Sequence, residues 1–409
     1  MKSRSRASAT DGARTVALRT VLAWESARID NIADGLQVAA GPDAALAREL
    51  ALGAVAWARL YDHLACRFLR KGRQADELRW CLRIAAHQLF ALDRVPPHAA
   101  VHETVETLRA AGMPKLVPVA NAVCRRLAEL RLEERTGAGP LGRLAPVDIP
   151  EDPAVRHSLP DELVNDLRPI APGEDFDACL ASLNHLPPLC TRTRPVHTGA
   201  LPGRGKVREE GPWTWWEDPA EALALVAEGR CVVQDRSQGE VAEIARIRPG
   251  ERVLDLCAAP GGKARALADL HAEVVAADIA PAKVRELDRD LRPVAMDGIR
   301  PAFAPGSFDV VVVDAPCSNT GVLARRPEAR WRYDKQHLAS LETLQRRLIR
   351  AGAELVGDGG RLVYSTCSLS PRENQGIAHR LDGWRILAER LTWPGPWNLG
   401  GYAALLVRS

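Results

Sequence analysis

Residues 253–263, VLDLCAAPGGK, decide the fold, because a short apolar run leads there into a glycine-rich turn. Glycine lets a backbone approach a ligand closely, and a helix that follows such a turn presents free N–H groups. The GxxxxGK[ST] spacing of phosphate loops and the GxGxxG spacing of dinucleotide sites are both missing. Taken alone, the Gly261-Gly262 pair is equally compatible with an ordinary turn between a strand and a helix.

Further apolar runs of strand length follow along the chain, at residues 274–277, 310–313 and 362–364. Helix-like segments lie between them, at residues 263–270, 283–291 and 338–356. Buried strands that alternate with helices predict a doubly wound parallel sheet. Ligands bind at the carboxyl ends of the strands in such a sheet, so side chains that follow the apolar runs are the candidate functional residues.

Two aspartates belong to this group. Asp278 ends the second apolar run, where an acidic residue commonly binds ribose hydroxyls. The same placement would suit NAD, although the first turn lacks the dinucleotide spacing, and a helix N-cap before Pro281 is a further interpretation. Asp297 on its own is no more than an acidic loop residue.

Two thiols also follow apolar runs, Cys317 in the sequence DAPCS and Cys367 in the sequence YSTCS. A single cysteine at a strand end is more often an inert core residue than a nucleophile. Two of them beside Asp314 and the glycine-rich turn favour a nucleophile, which requires a thiolate in a partly exposed, electropositive site. Lys263 and Arg372 are the candidates for the positive charge.

Basic and aromatic residues are interleaved in residues 325–333, RRPEARWRY. Arginines neutralise phosphates and aromatic side chains stack on unpaired bases. The pattern therefore indicates RNA contacts through Arg325, Arg326, Arg330 and Trp331. A solvated loop with one buried tryptophan is the alternative, and this stretch alone would favour it.

The first third of the chain reads as helical. An apolar stripe at helical spacing is formed by Leu78, Leu82, Ala85, Leu89 and Leu92. Strand-like alternation is absent from residues 15–134, which predicts an all-α bundle. A Gly- and Pro-rich linker follows at 134–146, and mixed signals at 149–228 indicate a small α+β module.

The bulk composition is that of an ordinary globular chain. It has 409 residues, a formal net charge of +3 and 26% charged residues, which permits a nucleic-acid partner without requiring one. Nine cysteines are scattered and form no CxxC pair, so we expect reduced thiols in a cytoplasmic protein and no metal site. No apolar run approaches the length of a membrane span.

Together these residues resemble the RsmB/Sun family of RNA 5-methylcytosine methyltransferases. LDLCAAPGGKA, DAPCSNTGV and YSTCSLSPREN match the three central motifs of that family nearly letter for letter, with both cysteine motifs in the correct order. AAHQLFALDRVPPHAAVHETVE and VANAVCRRL resemble its NusB-like domain, and HSLPDELV resembles its connecting module. Two stretches depart from the family: residues 278–297 look short, and GGYAALL at 400–406 replaces the usual Asp-Gly-Phe-Phe.

The resemblance covers nearly the whole chain and implies three domains. These are an all-α NusB-like RNA-binding bundle at 1–135, a small α+β connecting module at 147–228, and a Rossmann-like α/β methyltransferase domain at 229–409. The implied cofactor is S-adenosyl-L-methionine (SAM), held by the turn residues Cys257, Ala258, Ala259, Pro260, Gly261, Gly262 and Lys263.

The resemblance also implies a role for each candidate residue. Asp278 would hold the ribose hydroxyls, Asp297 would lie near the adenine, and Asp314 would sit between the cofactor and the target base. Cys367 would be the nucleophile and Cys317 would help to release the product, with Lys263 beside them. DNA cytosine methyltransferases use the Pro-Cys cysteine instead, so chemistry alone leaves the choice of nucleophile open.

The implied function is methylation of carbon 5 of a cytosine in RNA by a cytoplasmic monomer. Small-subunit (16S) rRNA, naked or in an assembling particle, is the expected substrate. The alternatives are a tRNA cytosine methyltransferase, a non-catalytic RNA-binding ribosome assembly factor, and an NAD-type oxidoreductase. The missing glycine spacing opposes the last of these.

Overall fold

The computed structural model describes residues 12–36, 42–197 and 200–409. Its contacts divide the chain into two units, and we consider each by itself. The helical unit comprises the chain up to Val164 together with Arg326–Trp331, and the sheet unit comprises Asn165–Arg325 and Arg332–Ser409. The three domains expected at 1–135, 147–228 and 229–409 remain a prediction, and the first eleven residues of that scheme lie outside the described residues.

The helical unit confirms the predicted all-α bundle. Its helices are α1 (Ala13–Glu25), α2 (Ile32–Gly35), α3 (Pro42–Ala56), α4 (Ala58–Cys66), α5 (Asp76–Phe90), α6 (Pro97–Ala110), α7 (Val117–Glu129) and α8 (Pro153–Arg156), with α9 (Asp161–Leu167) at its end. Helix α5 is central, and four of the five stripe residues, Leu78, Leu82, Ala85 and Leu89, are buried, while Leu92 lies just after the helix and is partly buried. Burial of this stripe against the surrounding helices supplies most of the stability of such a bundle.

The sheet unit begins with a small α+β region, as the mixed signals indicated. Its elements are α10 (Phe176–Ser182), β1 (Leu189–Thr193), β2 (Lys206–Glu210), β3 (Trp213–Trp216), α11 (Pro219–Ala227) and β4 (Cys231–Val233). The four strands form an antiparallel sheet in the order β2-β3-β1-β4. Trp216 is buried beneath it and donates its indole N–H to the Thr191 hydroxyl at 2.8 Å.

A seven-stranded sheet forms the rest of the unit. Its elements are α12 (Arg236–Ile244), β5 (Arg252–Asp255), α13 (Gly262–Ala268), β6 (Glu273–Asp278), α14 (Pro281–Val284), β7 (Val294–Ala295), β8 (Phe308–Asp314), α15 (Lys335–Leu355), β9 (Val356–Thr366), α16 (Gln375–Ala378), β10 (Trp384–Thr392) and β11 (Gly401–Arg408). The strand order is β10-β11-β9-β8-β5-β6-β7. The Rossmann-like α/β prediction is thereby confirmed.

The sheet is mixed rather than wholly parallel, which corrects one detail of the expectation. Strand β11 runs antiparallel to both β9 and β10, while β7, β6, β5, β8 and β9 are mutually parallel. Only eight residues connect β10 to β11, and a connection that short can join antiparallel neighbours but cannot provide the crossover that parallel strands need.

The predicted helix at 283–291 is wrong. Helix α14 ends at Val284, and a 3-10 turn follows only at Arg289–Leu291. The guanidinium of Arg265 binds Asp288 at 2.6 Å and Asp290 at 2.6 and 2.7 Å. Residues two apart do not share a helix face, so both carboxylates can reach one guanidinium only from a non-helical chain.

Three further features concern the described residues alone. No helix among them has the length and apolarity needed to cross a membrane. No group of three or more His, Cys, Asp or Glu side chains in that part of the chain is arranged to hold a metal ion. All nine cysteines are free thiols.

Close packing of α15 on the sheet yields a stability prediction. A Cβ at Gly352 would lie 2.8 Å from Val313 Cγ2 and 3.4 Å from Val311 Cγ1, both in β8. We predict that Gly352→Val lowers the free energy of unfolding by about 1–3 kcal/mol, because the core cannot accept the added volume. Chemical denaturation measures the loss.

Ala339→Val is the matched control, because Ala339 is exposed on the same helix. It should cost no more than about 0.7 kcal/mol, the limit of ordinary helix propensity. Equal losses at the two sites would show that helix propensity, and not crowding against β8, determines the effect.

Candidate active site

The strand order brings the predicted site residues to one edge of the sheet unit. Strands β6, β5, β8 and β9 are consecutive neighbours, and all four end at the same edge. The residues that follow their carboxyl ends are the turn at 257–263, Asp278, Asp314, Cys317 and Cys367. Their meeting at this edge was expected from the sequence, because each follows a buried apolar run.

Hydrogen bonds to Asp278 hold the glycine-rich turn in place. The Ala259 N–H donates to Asp278 Oδ2 at 3.2 Å, and the Ala280 N–H donates to Asp278 Oδ1 at 2.9 Å. Asp278 therefore fixes the turn and the chain just before α14, but the N-cap of α14 is Ala280 and no side chain caps it, so the capping interpretation is wrong. Gly261 has a φ of +100°, which favours glycine, and a Cβ at Gly262 would meet no atom closer than 3.9 Å. The turn thus leaves open space at the start of α13.

Asp255 is a residue of this site that the sequence reasoning gave no role. It ends β5 and is fully buried, and neither of its carboxylate oxygens has a hydrogen bond of good geometry among the described residues, although the backbone N–H of Cys257 lies close enough to lower its pKa. Burial first, and then the negative charge of Asp314, raise its pKa to about 7. A buried polar group without a well-aligned partner is costly, so this carboxyl fits a ligand that brings a donor into the site. Its position directly before the turn was the signal for it.

Lys263 and Asp314 form the charged centre of the site. Lys263 Nζ donates to Asp314 Oδ2 at 2.7 Å and also to the side-chain oxygen of Gln238. Ser365 Oγ donates to the other Asp314 oxygen at 2.8 Å. Burial alone would lower the pKa of Lys263, but the charge and hydrogen bond of Asp314 outweigh it and raise that pKa. Lys263 is therefore a cation at neutral pH, and Gln238 is a second partner that the sequence did not reveal.

Of the two candidates for positive charge near the thiols, the structure favours Lys263. Lys263 binds Asp314, whose other oxygen accepts from Ser365, two residues before Cys367, and the charge of a Cys367 thiolate is among the causes that raise the pKa of Lys263. The guanidinium of Arg372 instead binds Glu342 at 2.6 Å. Arg372 is thus already paired, and the expectation for it is corrected.

The two cysteines lie in contact. Their Sγ atoms are 3.3 Å apart, with Cys317 buried and Cys367 partly exposed. The hydrogen bond between the thiols, followed by burial and by the charge of Cys367, raises the pKa of Cys317 well above its ordinary value. Cys317 is consequently a neutral thiol at physiological pH, while the more exposed Cys367 is the sulfur that a substrate can reach.

A buried carboxylate, Glu373, joins the loops that carry the cysteines. It accepts hydrogen bonds from the Ser318 N–H at 2.9 Å, the Ser318 hydroxyl, the Ser368 hydroxyl at 2.6 Å and Gln345 Nε2 at 3.0 Å. Ser318 follows Cys317 and Ser368 follows Cys367. One fully buried side chain thus positions both thiols.

The carboxyl-terminal segment is hydrogen-bonded to the loops that carry the cysteines. The Gly400 N–H donates to the Gly321 carbonyl at 2.7 Å, and the Gly321 N–H donates to the Cys367 carbonyl at 2.9 Å. A Cβ at Gly321 would lie 2.6 Å from the Gly400 backbone. The GGYAALL stretch, which departs from the family pattern, therefore packs through its backbone beside the nucleophile candidate.

The remaining acidic candidate lies one strand further along the same edge. Asp297 follows β7, the neighbour of β6, and is exposed, with Oδ1 accepting the Ile299 N–H at 3.0 Å. Its assignment to the adenine stays a prediction.

The basic segment divides into two parts. Arg325 and Arg326 are exposed, as a phosphate contact requires. Arg330 is fully buried in the helical unit, where one guanidinium nitrogen donates to the carbonyls of Ala56 at 2.7 Å and Ser158 at 3.1 Å. Burial lowers the pKa of Arg330 to about 9. The expectation that Arg330 contacts RNA is therefore corrected, because its side chain is structural.

Trp331 also belongs to the helical unit. It packs against the core of the helical unit and donates its indole N–H to the Val55 carbonyl at 2.8 Å. Because Trp331 is only partly buried, its stacking on an RNA base stays a prediction. The alternative interpretation, a solvated loop with one buried tryptophan, does not hold either, because residues 327–332 form a 3-10 helix and Trp331 is only partly buried.

The fold and the site together define a class of protein. Three features fit SAM: a glycine-rich turn after the first strand of the large sheet, the buried carboxyl of Asp255 directly before that turn, and an acidic residue after the second strand. The protein is a SAM-dependent methyltransferase with a NusB-like helical domain.

Comparisons with known proteins give the family. Residues 242–383 match the model for 16S rRNA methyltransferase RsmB/F, and residues 11–129 match the model for the NusB family. The ribosomal RNA small subunit methyltransferase B of Pseudomonas syringae pv. tomato is 31% identical over 88% of this chain and 84% of its own length. The probable enzyme of that name from Synechocystis is 30% identical over 87% of this chain and 84% of its own. The chain belongs to the RsmB/F family of methyltransferases.

Solved structures agree with the fold. The crystal structure of PH0851 has a TM-score of 0.73 at 19% identity and covers 98% of this chain and 99% of that one. A methyltransferase homologue from Pyrococcus horikoshii has a TM-score of 0.50 at 20% identity and covers 61% of this chain and all of that one. At these identities the likeness establishes the architecture alone.

The Glu373 network yields a second stability prediction. Glu373→Gln keeps the shape of the side chain but replaces one acceptor oxygen by an NH₂ group that faces donors. We predict a loss of about 1.5–3 kcal/mol in the free energy of unfolding, the range for hydrogen bonds to a charged group. Denaturant titration measures it, and Glu286→Gln, at an exposed glutamate, is the control and should be neutral. A neutral Glu373→Gln would contradict the idea that this carboxylate holds the two loops.

Proposed function

We propose that the chain methylates carbon 5 of a cytosine in small-subunit rRNA by covalent cysteine catalysis. The observation that carries the proposal is the pair of thiols 3.3 Å apart beside the Lys263–Asp314 ion pair, at the edge where the cofactor turn lies. Thiolate catalysis needs a nearby cation and a partly exposed sulfur, and Lys263 and Cys367 meet these two needs.

The residues act on the base in a defined order. Carbon 5 of cytosine is too weak a nucleophile to accept a methyl group directly. The Cys367 thiolate adds to carbon 6 and creates an enamine, which makes carbon 5 electron-rich. SAM supplies the methyl group. Asp314, held by Lys263 and Ser365, is the group that we assign to ring nitrogen 3, where charge develops during the addition.

Product release then falls to Cys317. Loss of the proton at carbon 5 expels Cys367, and a base must take that proton. The hydrogen bond to Cys367, burial and the charge of Cys367 together raise the pKa of Cys317. Once Cys367 is bonded to carbon 6 it is a neutral thioether, so its hydrogen bond and its charge no longer raise the pKa of Cys317, and only the effect of burial and of Glu373 remains. Covalent addition therefore lowers the pKa of Cys317 at the step where a thiolate is useful as a base.

The choice of RNA rests on the relatives and on the helical unit. The relatives with about 30% identity are named as small-subunit rRNA methyltransferases, and the NusB match covers 11–129. The target base has to leave any stack to reach Cys367, which a loop or an assembling particle allows. tRNA methylation and a non-catalytic role in assembly are the outcomes against which the proposal is tested.

Methyl transfer to unmodified small-subunit rRNA tests the reaction and the thiol roles together. Labelled SAM, the RNA and each variant are incubated, and the nucleosides are then analysed. We predict 5-methylcytosine with the wild type, none with Cys367→Ala, and a stalled protein–RNA adduct with Cys317→Ala. Cys66→Ala, which removes an exposed thiol in the helical unit, is the control and should react normally.

Other results would redirect the assignment. Product with Cys367→Ala but not with Cys317→Ala would exchange the two roles. Label in tRNA transcripts alone would replace the substrate. An absence of label on every RNA and particle, with SAM binding intact, would favour the assembly factor.

Removal of the Asp314 carboxylate tests its assignment to the base. We predict that Asp314→Asn lowers kcat by about 10²- to 10⁴-fold, the usual range for a group that assists proton placement, while the protein still folds. Single-turnover methyl transfer measures the rate. Asp358→Asn, at an exposed position of β9, should leave it unchanged. A normal rate for Asp314→Asn would exclude this carboxylate from the reaction.

A further inference from the structure

Asn319 connects the two cysteines and has been given no role so far. Its backbone is left-handed, with a φ of +61°, a conformation that asparagine tolerates better than most residues. Its Nδ2 donates to the Cys317 carbonyl at 2.9 Å, and its Oδ1 accepts from Cys367 Sγ at 3.1 Å. The carboxamide therefore bridges one cysteine's backbone and the other cysteine's thiol.

The orientation of the carboxamide is determined by its first partner. A carbonyl oxygen can only accept, so the nitrogen of the amide, and not the oxygen, must face the Cys317 carbonyl. The oxygen consequently faces Cys367. Because that oxygen is an acceptor only, its contact with the sulfur is favourable when Cys367 carries its proton and repulsive when it does not.

We propose that Asn319 is a positioning residue that aims Cys367 and favours its thiol form while no RNA is bound. This inference rests on the proposed function, since it concerns the nucleophile assigned there. The thiol is poised between opposing influences: Asn319 favours the protonated form, whereas the Lys263 ammonium favours the thiolate. Cys317 is a neutral neighbour, Asp314 is paired with Lys263, and Glu373 lies beneath both loops. Formation of the nucleophile must break the bond to Asn319.

Alkylation of the RNA-free protein by iodoacetamide tests this inference. The rate at Cys367 is followed by mass spectrometry of its peptide between pH 6 and pH 10 (roughly the range in which thiols titrate). Asn319→Gly removes the acceptor and keeps the left-handed backbone, which glycine adopts freely. We expect alkylation near neutral pH to be about two- to tenfold faster and the midpoint of the profile to move down by up to about one pH unit, as one hydrogen bond allows.

Asn319→Asp provides the opposite change. It places a negative charge beside the sulfur, so the midpoint should move up and alkylation near neutral pH should slow. Cys66, the exposed thiol of the helical unit, is an internal control in every sample and should keep its profile. Greater access to Cys367 would multiply the rate at every pH without moving the midpoint, so the profile separates access from ionisation.

The outcomes are decisive. An unmoved midpoint in Asn319→Gly, or equal shifts for both aspartate and glycine variants, would overturn the inference. A shift at Cys66 as well would mean a general structural effect and would also overturn it. The assay uses no RNA, so a failure of methyl transfer in the wild type, with the Cys367 shifts present, would reject the proposed function and leave the role of Asn319 standing.

Discussion

The arrangement of this site depends on one constraint, the parallel pairing of β8 with β9. Asp314 lies opposite Ser365 in that register, and each strand ends in a loop that carries a cysteine. A strand rises about 3.3 Å per residue, so a slip of two residues would move one sulfur by about 6.6 Å and separate the thiols. The Glu373 carboxylate and the Gly321–Gly400 backbone contact maintain this register from two sides. The backbone pairing of β8 with β9 thus determines the distance between the two thiols, on which their reactivity depends.

Much of the fold and of the candidate site could be predicted from the sequence. Apolar runs of strand length identified β5, β6, β8 and β9, and the rule that ligands bind at carboxyl ends brought their terminal residues together. The turn at 257–263 and the two cysteine motifs were specific enough to indicate a family. The helical stripe around Leu82 likewise predicted the bundle, because a 3.6-residue period is a local property of the chain.

The rest depended on contacts between residues far apart in the chain. Asp255 looked like one more strand residue, and only the neighbouring strands show that its oxygens lack a hydrogen bond of good geometry. Glu373 and Asn319 gain their meaning from loops about fifty residues away. Arg330 had the composition of an RNA contact, but composition does not reveal that its side chain is buried. The break at 283–291 similarly arises from Arg265, which no local pattern within that segment could indicate.

The packing of Arg330 and Trp331 in the helical unit has a consequence for how the protein is made. The helical unit occupies the first 164 residues, yet the donors for the carbonyls of Val55 and Ala56 are supplied by Trp331 and Arg330. A ribosome delivers those two side chains about 165 residues after it has finished the bundle helices. During that interval the bundle has its apolar core but lacks the hydrogen-bond donors for the carbonyls of Val55 and Ala56. The amino-terminal domain therefore completes these hydrogen bonds only after a later part of the chain has been synthesised. A gene fragment that stops at the end of the bundle encodes a domain without the two donors.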